Sequence, residues 1–161
     1  MRLIPLILVL TPLAANADVT VTFVEGAPKD QFILENQGCD LGTFDLTINL
    51  AAAPAGLIFD VTGSGAGVEV LQPVEVVTGA VTMTDVADGD QVLTLTITDF
   101  DAGSVAIISA DIDDTQAAGA LGQIRVAGSE IAGATLASPN GNLAEFDDMA
   151  RAVLPTPDCI G

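Results

Sequence analysis

The feature that most constrains the fold of this chain is an alternation of apolar and polar residues with a period of two. In residues 93–98, the apolar side chains of Leu93, Leu95 and Ile97 alternate with threonines. The same alternation occurs in residues 19–24, 44–50 and 81–84. Because successive side chains of a β-strand point to opposite faces of the sheet, this pattern predicts strands that bury one face and expose the other.

Short segments of this kind recur along most of the chain. Further predicted strands cover residues 31–35, 56–61, 68–77, 105–112, 124–127 and 130–137. Clusters of Gly, Pro, Asn and Asp separate them, which is typical of turns. The sequence therefore predicts an all-β fold, an immunoglobulin-like antiparallel β-sandwich of about 8–10 short strands. The chain contains no Trp, so it lacks the buried tryptophan that is characteristic of antibody domains.

One segment, residues 142–153, fits two structures. Its first four residues, Asn142 to Glu145, resemble a helix capping box. However, Asn140 and Gly141 form a hairpin signal, and residues 149–154 could form a final strand. We favour strand, because the rest of the chain is predicted to be all-β.

The first 17 residues have the layout of a secretory signal peptide. Arg2 precedes an apolar run over residues 3–10, and the sequence Ala-Asn-Ala at residues 15–17 fits the small-x-small cleavage pattern. The run is shorter than the ~20 apolar residues that a membrane span needs. We therefore expect residues 1–17 to be removed. Residues 18–161 would then form a single secreted β-sandwich domain, periplasmic or extracellular, with no transmembrane segment.

The two cysteines, Cys39 and Cys159, are expected to form a structural disulfide. Paired thiols persist in the oxidising surroundings of exported proteins. A catalytic or redox pair is disfavoured, because the chain has neither a C-x-x-C motif nor a histidine that would lower a thiol pKa. In the chain-entropy model, closing so long a loop is worth about 4–5 kcal/mol.

The chain is strongly acidic, and this charge restricts its partners. It has 22 acidic residues, four basic residues and no histidine, which gives a formal net charge of −18. Such a charge opposes binding to nucleic acid and to anionic membranes. The absence of histidine excludes Ser-His-Asp triads, Cys-His dyads and histidine metal ligands. The glycine-rich residues 63–67 lack the lysine of a phosphate-binding loop, so we interpret them as a turn.

Many carboxylates without histidine suit a hard cation such as Ca²⁺, which binds about six to eight oxygens. The best candidate site comprises Asp111, Asp113 and Asp114. Asp111 and Asp113 fall on one face of the predicted strand, about 7 Å apart, and Asp114 begins the following loop. Three carboxylates this close repel each other unless a cation or solvent intervenes. The simpler alternative is that these acids are only solvated, as in extracellular proteins of saline habitats.

Two other acidic groups are weaker candidates. Asp99 and Asp101 lie near the far end of the strand that leads to Asp111, so we do not expect them to share its site. The loop acids at positions 85, 88 and 90 do not follow the order of an EF-hand calcium loop.

We do not expect an enzyme. The one catalytic option is a carboxylate pair for glycoside hydrolysis, for which Asp60 and Glu69 on either side of the glycine-rich residues are the best pair available. Sugar subsites commonly use aromatic platforms, and the chain has neither Trp nor Tyr. Its six phenylalanines mostly lie in phase with apolar neighbours, which predicts that they belong to the core.

Several segments resemble known secreted bacterial proteins. Residues 32–39, with the sequence FILENQGC, resemble the strand and Asn-x-Gly opening of bacterial surface-exposed immunoglobulin-like domains. Residues 56–62, 67–73, 112–115 and 130–134 are similar to the short secreted "aggregation factor core" proteins of marine alphaproteobacteria. The resemblance extends over most of the chain after residue 17. It implies adhesion or matrix association in which Ca²⁺ could act as a bridge, and it implies no catalytic residues.

Two functional hypotheses follow. The first is a secreted, acidic, non-enzymatic adhesion or surface-matrix module that binds a surface protein, a polysaccharide or its own copies, assisted by Ca²⁺. The second is a periplasmic small-ligand-binding or accessory protein. A deep apolar pocket would favour the second hypothesis, and a sandwich without such a pocket would favour the first.

Overall fold

A computed structural model describes residues 18–67, 71–116 and 125–156. Within these ranges the chain forms strands and no helix. The strands are β1 (Asp18–Val24), β2 (Asp30–Asn36), β3 (Phe44–Asn49), β4 (Leu57–Phe59), β5 (Glu75–Thr78), β6 (Ala80–Met83), β7 (Val92–Thr98), β8 (Val105–Ala110), β9 (Ile112–Asp114), β10 (Thr135–Ala137), β11 (Leu143–Glu145) and β12 (Arg151–Pro155).

The strands form two five-stranded antiparallel sheets that pack together. One sheet has the order β12-β1-β2-β8-β5, and the other has the order β11-β10-β3-β7-β6. A short third sheet pairs β4 with β9. The predicted all-β sandwich is therefore confirmed, whereas the immunoglobulin-like subclass stays a prediction.

The core lies between the two large sheets. It consists of the apolar side chains that alternate with polar ones along each strand and point to its buried face. On β7, Leu93, Leu95 and Ile97 are buried, while the threonines between them are partly exposed or exposed. On β2, Phe32 and Leu34 are fully buried. All six phenylalanines are buried, and five of them make ring contacts, as Phe32 and Phe146 do at 6.2 Å between centroids. The prediction that phenylalanines build the core is confirmed.

The segment with two possible structures forms strands. Residues Thr135–Ala137 and Leu143–Glu145 make an antiparallel hairpin around the predicted turn at Asn140 and Gly141, and Arg151–Pro155 pairs with β1. The preference for strand over helix at residues 142–153 is confirmed.

Four predicted strands differ from the structure. In the predicted strand 68–77, residues 71–74 are irregular and β5 begins only at Glu75, and the described residues 125–127 of the predicted strand 124–127 form no strand. The strand predicted over residues 105–112 ends at Ala110 and a new one begins at Ile112, because the chain stops pairing with β2 and starts pairing with β4. In the predicted strand 130–137, only Thr135–Ala137 is extended. A turn closes before it, where the amide of Glu130 donates to the carbonyl of Ala127 at 2.8 Å.

Five predictions fall on residues that the structure does not describe. These are the signal peptide at residues 1–17, the starts of the predicted strands 68–77 and 124–127, Glu69 and Cys159. No cysteine among the described residues is free. The Cys39–Cys159 disulfide and the domain bounds stay predictions.

Candidate metal centre

The acidic side chains converge where the chain passes from the large sheet to the short one. Asp111 lies between the end of β8 and the start of β9, and Asp60 follows directly after β4. Strands β4 and β9 pair antiparallel, with Phe59 opposite Ile112. The amide of Asp60 donates to the carbonyl of Asp111 at 3.1 Å. This pairing therefore brings Asp60 next to both Asp111 and Asp113.

The three carboxylates form a tight group that we call the acidic cluster: Asp60, Asp111 and Asp113. One carboxylate oxygen from each residue lies within 4.8 Å of the others. The side chains are almost fully buried, with 0 % of Asp60, 6 % of Asp111 and 1 % of Asp113 exposed. Burying several like charges together is strongly unfavourable unless protons or a cation neutralise them.

The electrostatics of Asp111 reflect this crowding. Burial, and then repulsion from Asp113, Asp60 and Asp30, raises the pKa of Asp111 to about 7. Lys29 opposes the shift, although its ammonium group is already bound by Glu75 and by the carbonyl of Pro73. Without a cation, the Asp111 carboxyl therefore keeps its proton until the pH approaches about 7.

Asp30 supports the cluster from the adjoining strand. Its Oδ1 accepts a hydrogen bond from the amide of Gly26 at 2.9 Å, and its Oδ2 accepts one from the amide of Ile112 at 3.3 Å. Ile112 separates Asp111 from Asp113, so Asp30 holds the backbone between two members of the cluster. Burial raises the pKa of Asp30 to about 7, and the charges of Glu25 and Asp113 add to this effect.

Gln72 provides a further oxygen beside the cluster. Its Nε2 donates a hydrogen bond to Oδ2 of Asp111. Its Oε1 is buried and accepts no hydrogen bond within the described ranges. Because an amide can exchange the positions of its N and O by a half-turn, Gln72 can present an oxygen where it now presents a donor. A buried oxygen without a donor fits a cation nearby.

A loop of small residues covers the cluster. The glycine loop (residues 62–67) is largely exposed, yet Gly67 lies directly against the carboxylates. A Cβ atom at Gly67 would lie 2.6 Å from Oδ2 of Asp60 and closer still to Oδ2 of Asp113. The φ angle of Gly67 is +78°, a conformation that residues with a Cβ rarely adopt. The space beside the two carboxylates therefore exists because residue 67 is glycine.

Asp88 fixes the glycine loop. Its Oδ1 accepts hydrogen bonds from the amides of Val61 and Thr62 at 3.1 and 3.4 Å, and its Oδ2 accepts one from the amide of Ala66 at 2.6 Å. The side chain of Asp60 also forms a hydrogen bond with the side chain of Asp88. Burial raises the pKa of Asp88, but these hydrogen bonds outweigh it and hold the pKa below its ordinary value.

The structure brings together two of the three residues predicted as metal ligands. Asp111 and Asp113 join the cluster, whereas Asp114 lies outside it, because neighbouring residues of a strand point to opposite faces. Asp114 is buried, and burial followed by the charge of Glu130 raises its pKa. Asp60 takes the third position. It ends a predicted strand, but the sequence does not show which strand lies beside it.

The remaining acidic candidates do not form a second group of this kind within the described ranges. Asp60, Asp111 and Asp113 are the only three acids there whose oxygens lie within reach of one ion. Asp99 and Asp101 lie apart from the cluster, as expected. Of the acids at positions 85, 88 and 90, Asp88 contacts the site through the glycine loop.

An open groove of about 530 Å³ lies beside the cluster. It is lined by Val61, Thr62, Pro73, Val74, Met83 and Asp85, among others. The groove is partly enclosed and partly open to solvent.

No protein-family model, curated protein or solved structure matches this chain. In the ranges that the structure describes, no helix is long and apolar enough to cross a membrane.

Proposed function

We propose that this protein is a secreted, non-enzymatic module that binds Ca²⁺ at the acidic cluster and uses the bound ion in adhesion or matrix association. The observation that carries the proposal is the convergence of three buried carboxylates, each with an oxygen within 4.8 Å of the others. Acids that are merely solvated lie at the surface, whereas these side chains are buried next to one another.

A divalent cation would neutralise the buried carboxylates without protons. Without a cation, Asp111 takes up a proton as the pH falls through about 7, because burial and repulsion raise its pKa to about 7. A cation bound between the carboxylates would replace that repulsion with attraction. The buried Oε1 of Gln72 and the second carboxylate oxygens supply further ligand atoms close by.

The donor set favours Ca²⁺ among the divalent ions. Every side-chain ligand is a carboxylate or amide oxygen, and the chain has no histidine to attract Zn²⁺, Cu²⁺ or Ni²⁺. Mg²⁺ is smaller, demands a near-ideal octahedron and keeps several waters, which a nearly dry cluster does not favour. Ca²⁺ tolerates irregular sets of about six to eight oxygens.

The charge of the whole chain supports the adhesive role. A net charge of −18 makes copies repel each other and makes acidic polysaccharides repel the protein. Divalent cations reduce that repulsion, so association of such a surface is expected to depend on Ca²⁺. The groove beside the cluster is only partly enclosed, whereas a carrier of small ligands is expected to have a deep pocket, so we place that alternative second.

Calorimetry of the oxidised protein starting at Asp18 tests the metal site. We expect one stoichiometric Ca²⁺ site, and a melting temperature that rises far more with Ca²⁺ than with the same concentration of Mg²⁺ at fixed ionic strength. Equal shifts for the two ions would mean that they only screen the charge, and the proposal would then be wrong.

Asp113→Asn and Asp101→Asn form a matched pair for this experiment. Both remove one negative charge, but Asp113 belongs to the buried cluster and Asp101 is exposed. We expect Asp113→Asn to weaken Ca²⁺ binding by at least about tenfold. In chelator, the same variant should be no less stable than wild type, because it relieves repulsion. Asp101→Asn should leave binding unchanged.

A further inference from the structure

On one side, the acidic cluster is separated from solvent only by the glycine loop. Residues 63–67 are exposed, whereas Asp60 and Asp113 directly beneath them are 0 % and 1 % exposed. Gly67 lies so near both carboxylates that an added Cβ would overlap the Oδ2 atoms of Asp60 and Asp113. The solvent exclusion of these two carboxylates on this side therefore depends on the glycine loop staying closed.

Asp88 is the residue that keeps the glycine loop closed. Its carboxylate accepts the amides of Val61 and Thr62 where the loop begins, and the amide of Ala66 near the loop's end. Gly65 allows this grip, because a Cβ atom there would overlap Oδ2 of Asp88. One side chain thus ties together both ends of a loop that has little side-chain packing of its own.

We propose that Asp88 is a positioning residue of the cation site, and that the glycine loop it holds is a cover that slows exchange of the bound Ca²⁺. The inference rests on the proposed function, because it concerns release of an ion from the same cluster. Asp88 holds the loop and also hydrogen-bonds to the side chain of Asp60, but it is not one of the three residues whose oxygens lie within reach of one ion. An ion leaving past Gly67 needs the loop to open, which breaks the hydrogen bonds to Asp88.

If the glycine loop slows release of Ca²⁺, the bound ion serves a structural role rather than a signalling role that needs rapid exchange. Local opening of an exposed loop is rare when several hydrogen bonds to a carboxylate must break together. The cover therefore suits a protein that holds its ion while extracellular Ca²⁺ fluctuates. The close approach of the loop disfavours any residue larger than glycine at position 67, because its Cβ would overlap the carboxylates.

Release of Ca²⁺ into a fluorescent chelator, followed by stopped flow, tests the role of Asp88. We expect Asp88→Asn to raise the release rate by about tenfold, because the amide cannot accept all three backbone N–H groups. Asp85→Asn is the control. Like Asp88, Asp85 lies in the loop between β6 and β7, but its side chain is exposed, and the substitution removes the same negative charge. Its release rate should equal that of wild type.

Gly67→Ala and Gly103→Ala separate contact with the cluster from backbone strain. The two glycines have nearly equal φ angles, +78° and +79°, but a Cβ at Gly103 meets nothing within 4 Å. We expect Gly67→Ala to weaken Ca²⁺ binding by at least about tenfold, and Gly103→Ala to bind as wild type does. Equal binding by both variants would contradict the close contact of the loop with the ion site.

Amide hydrogen exchange of the wild-type protein tests the cover without a mutation. Ca²⁺ should slow exchange of the Ala66 amide by at least about fivefold. The outcomes separate the two proposals. If wild type binds no Ca²⁺ at the cluster, the proposed function fails and the cover fails with it. If Ca²⁺ binds but the Asp88→Asn release rate and the Ala66 exchange rate do not change, the cover alone is refuted.

Discussion

At the scale of single residues, this protein places carboxylates where an ordinary core would have apolar groups. Asp30, Asp60, Asp111 and Asp113 are each at least nine-tenths buried, in a molecule whose other acids are mostly at the surface. Their neighbours tune them differently. Backbone amides lower the pKa of Asp88, while burial raises the pKa values of Asp30 and Asp111 to about 7. The same residue type is therefore stabilised in its ionised form at position 88 and in its protonated form at positions 30 and 111.

These pKa values predict how stability depends on pH when no cation is bound. Asp30 and Asp111 have a pKa of 3.8 when unfolded and about 7 when folded. Between these values the folded state holds protons that the unfolded state has released, so stability is greatest below the unfolded pKa and falls as pH rises through about 7. We expect the melting temperature in chelator to fall from pH 5 to pH 8.

Saturating Ca²⁺ should remove this fall, because the ion replaces the protons. Asp30→Asn should reduce the slope in chelator, since it removes one of the two titrating groups. Melting curves at constant ionic strength measure both effects. A melting temperature that rises from pH 5 to pH 8 in chelator would contradict the assignment.

At the scale of secondary-structure elements, the period-two pattern predicts the strands well because alternation is a local property of an extended backbone. The predictions for residues 19–24, 31–35 and 93–98 agree with β1, β2 and β7 within one residue at each end. The break at Asp111 was not predictable in this way. The pattern continues through it, and only the change of partner from β2 to β4 divides the segment.

Strand β7, which lies between β3 and β6, provides a test of the core. Leu95 is fully buried and pairs with Leu46 on one side and Met83 on the other. We expect Leu95→Ala to lower the free energy of unfolding by about 2–5 kcal/mol, through lost burial and the cavity left behind. Val92→Ala on the same strand should lower it by less than about 1 kcal/mol, because Val92 is 46 % exposed.

Urea unfolding in chelator measures both variants without a contribution from bound ions. Similar losses for Leu95→Ala and Val92→Ala would contradict the division of β7 into a buried and an exposed face.

At the scale of the whole molecule, charge decides how copies meet. With 22 acidic and four basic residues, the protein repels its own copies, and the described part of each copy contains one group of three acids whose oxygens lie within 4.8 Å of one another. The adhesive proposal therefore predicts association that depends on Ca²⁺ rather than on ionic strength alone.

Beads coated with the protein test this prediction. We expect millimolar Ca²⁺ to aggregate the beads, chelator to disperse them, and Mg²⁺ to act much more weakly. Beads coated with Asp113→Asn should stay dispersed, while beads coated with Asp101→Asn should behave as wild type. If the wild-type beads respond to neither Ca²⁺ nor chelator, the adhesive role is wrong. The metal site is tested separately by calorimetry.

The sequence by itself determined the fold class, the position of most strands, the apolar faces that build the core, and two members of the acidic cluster. These are local properties, because alternation and strand-end acids can be read from neighbouring residues. The tertiary structure alone decided that Asp60 replaces Asp114 in the cluster, and that Asp88 reaches the glycine loop. Both depend on the pairing of β4 with β9 and on loops distant in sequence, and such contacts are fixed by packing of the whole sandwich rather than by any local pattern.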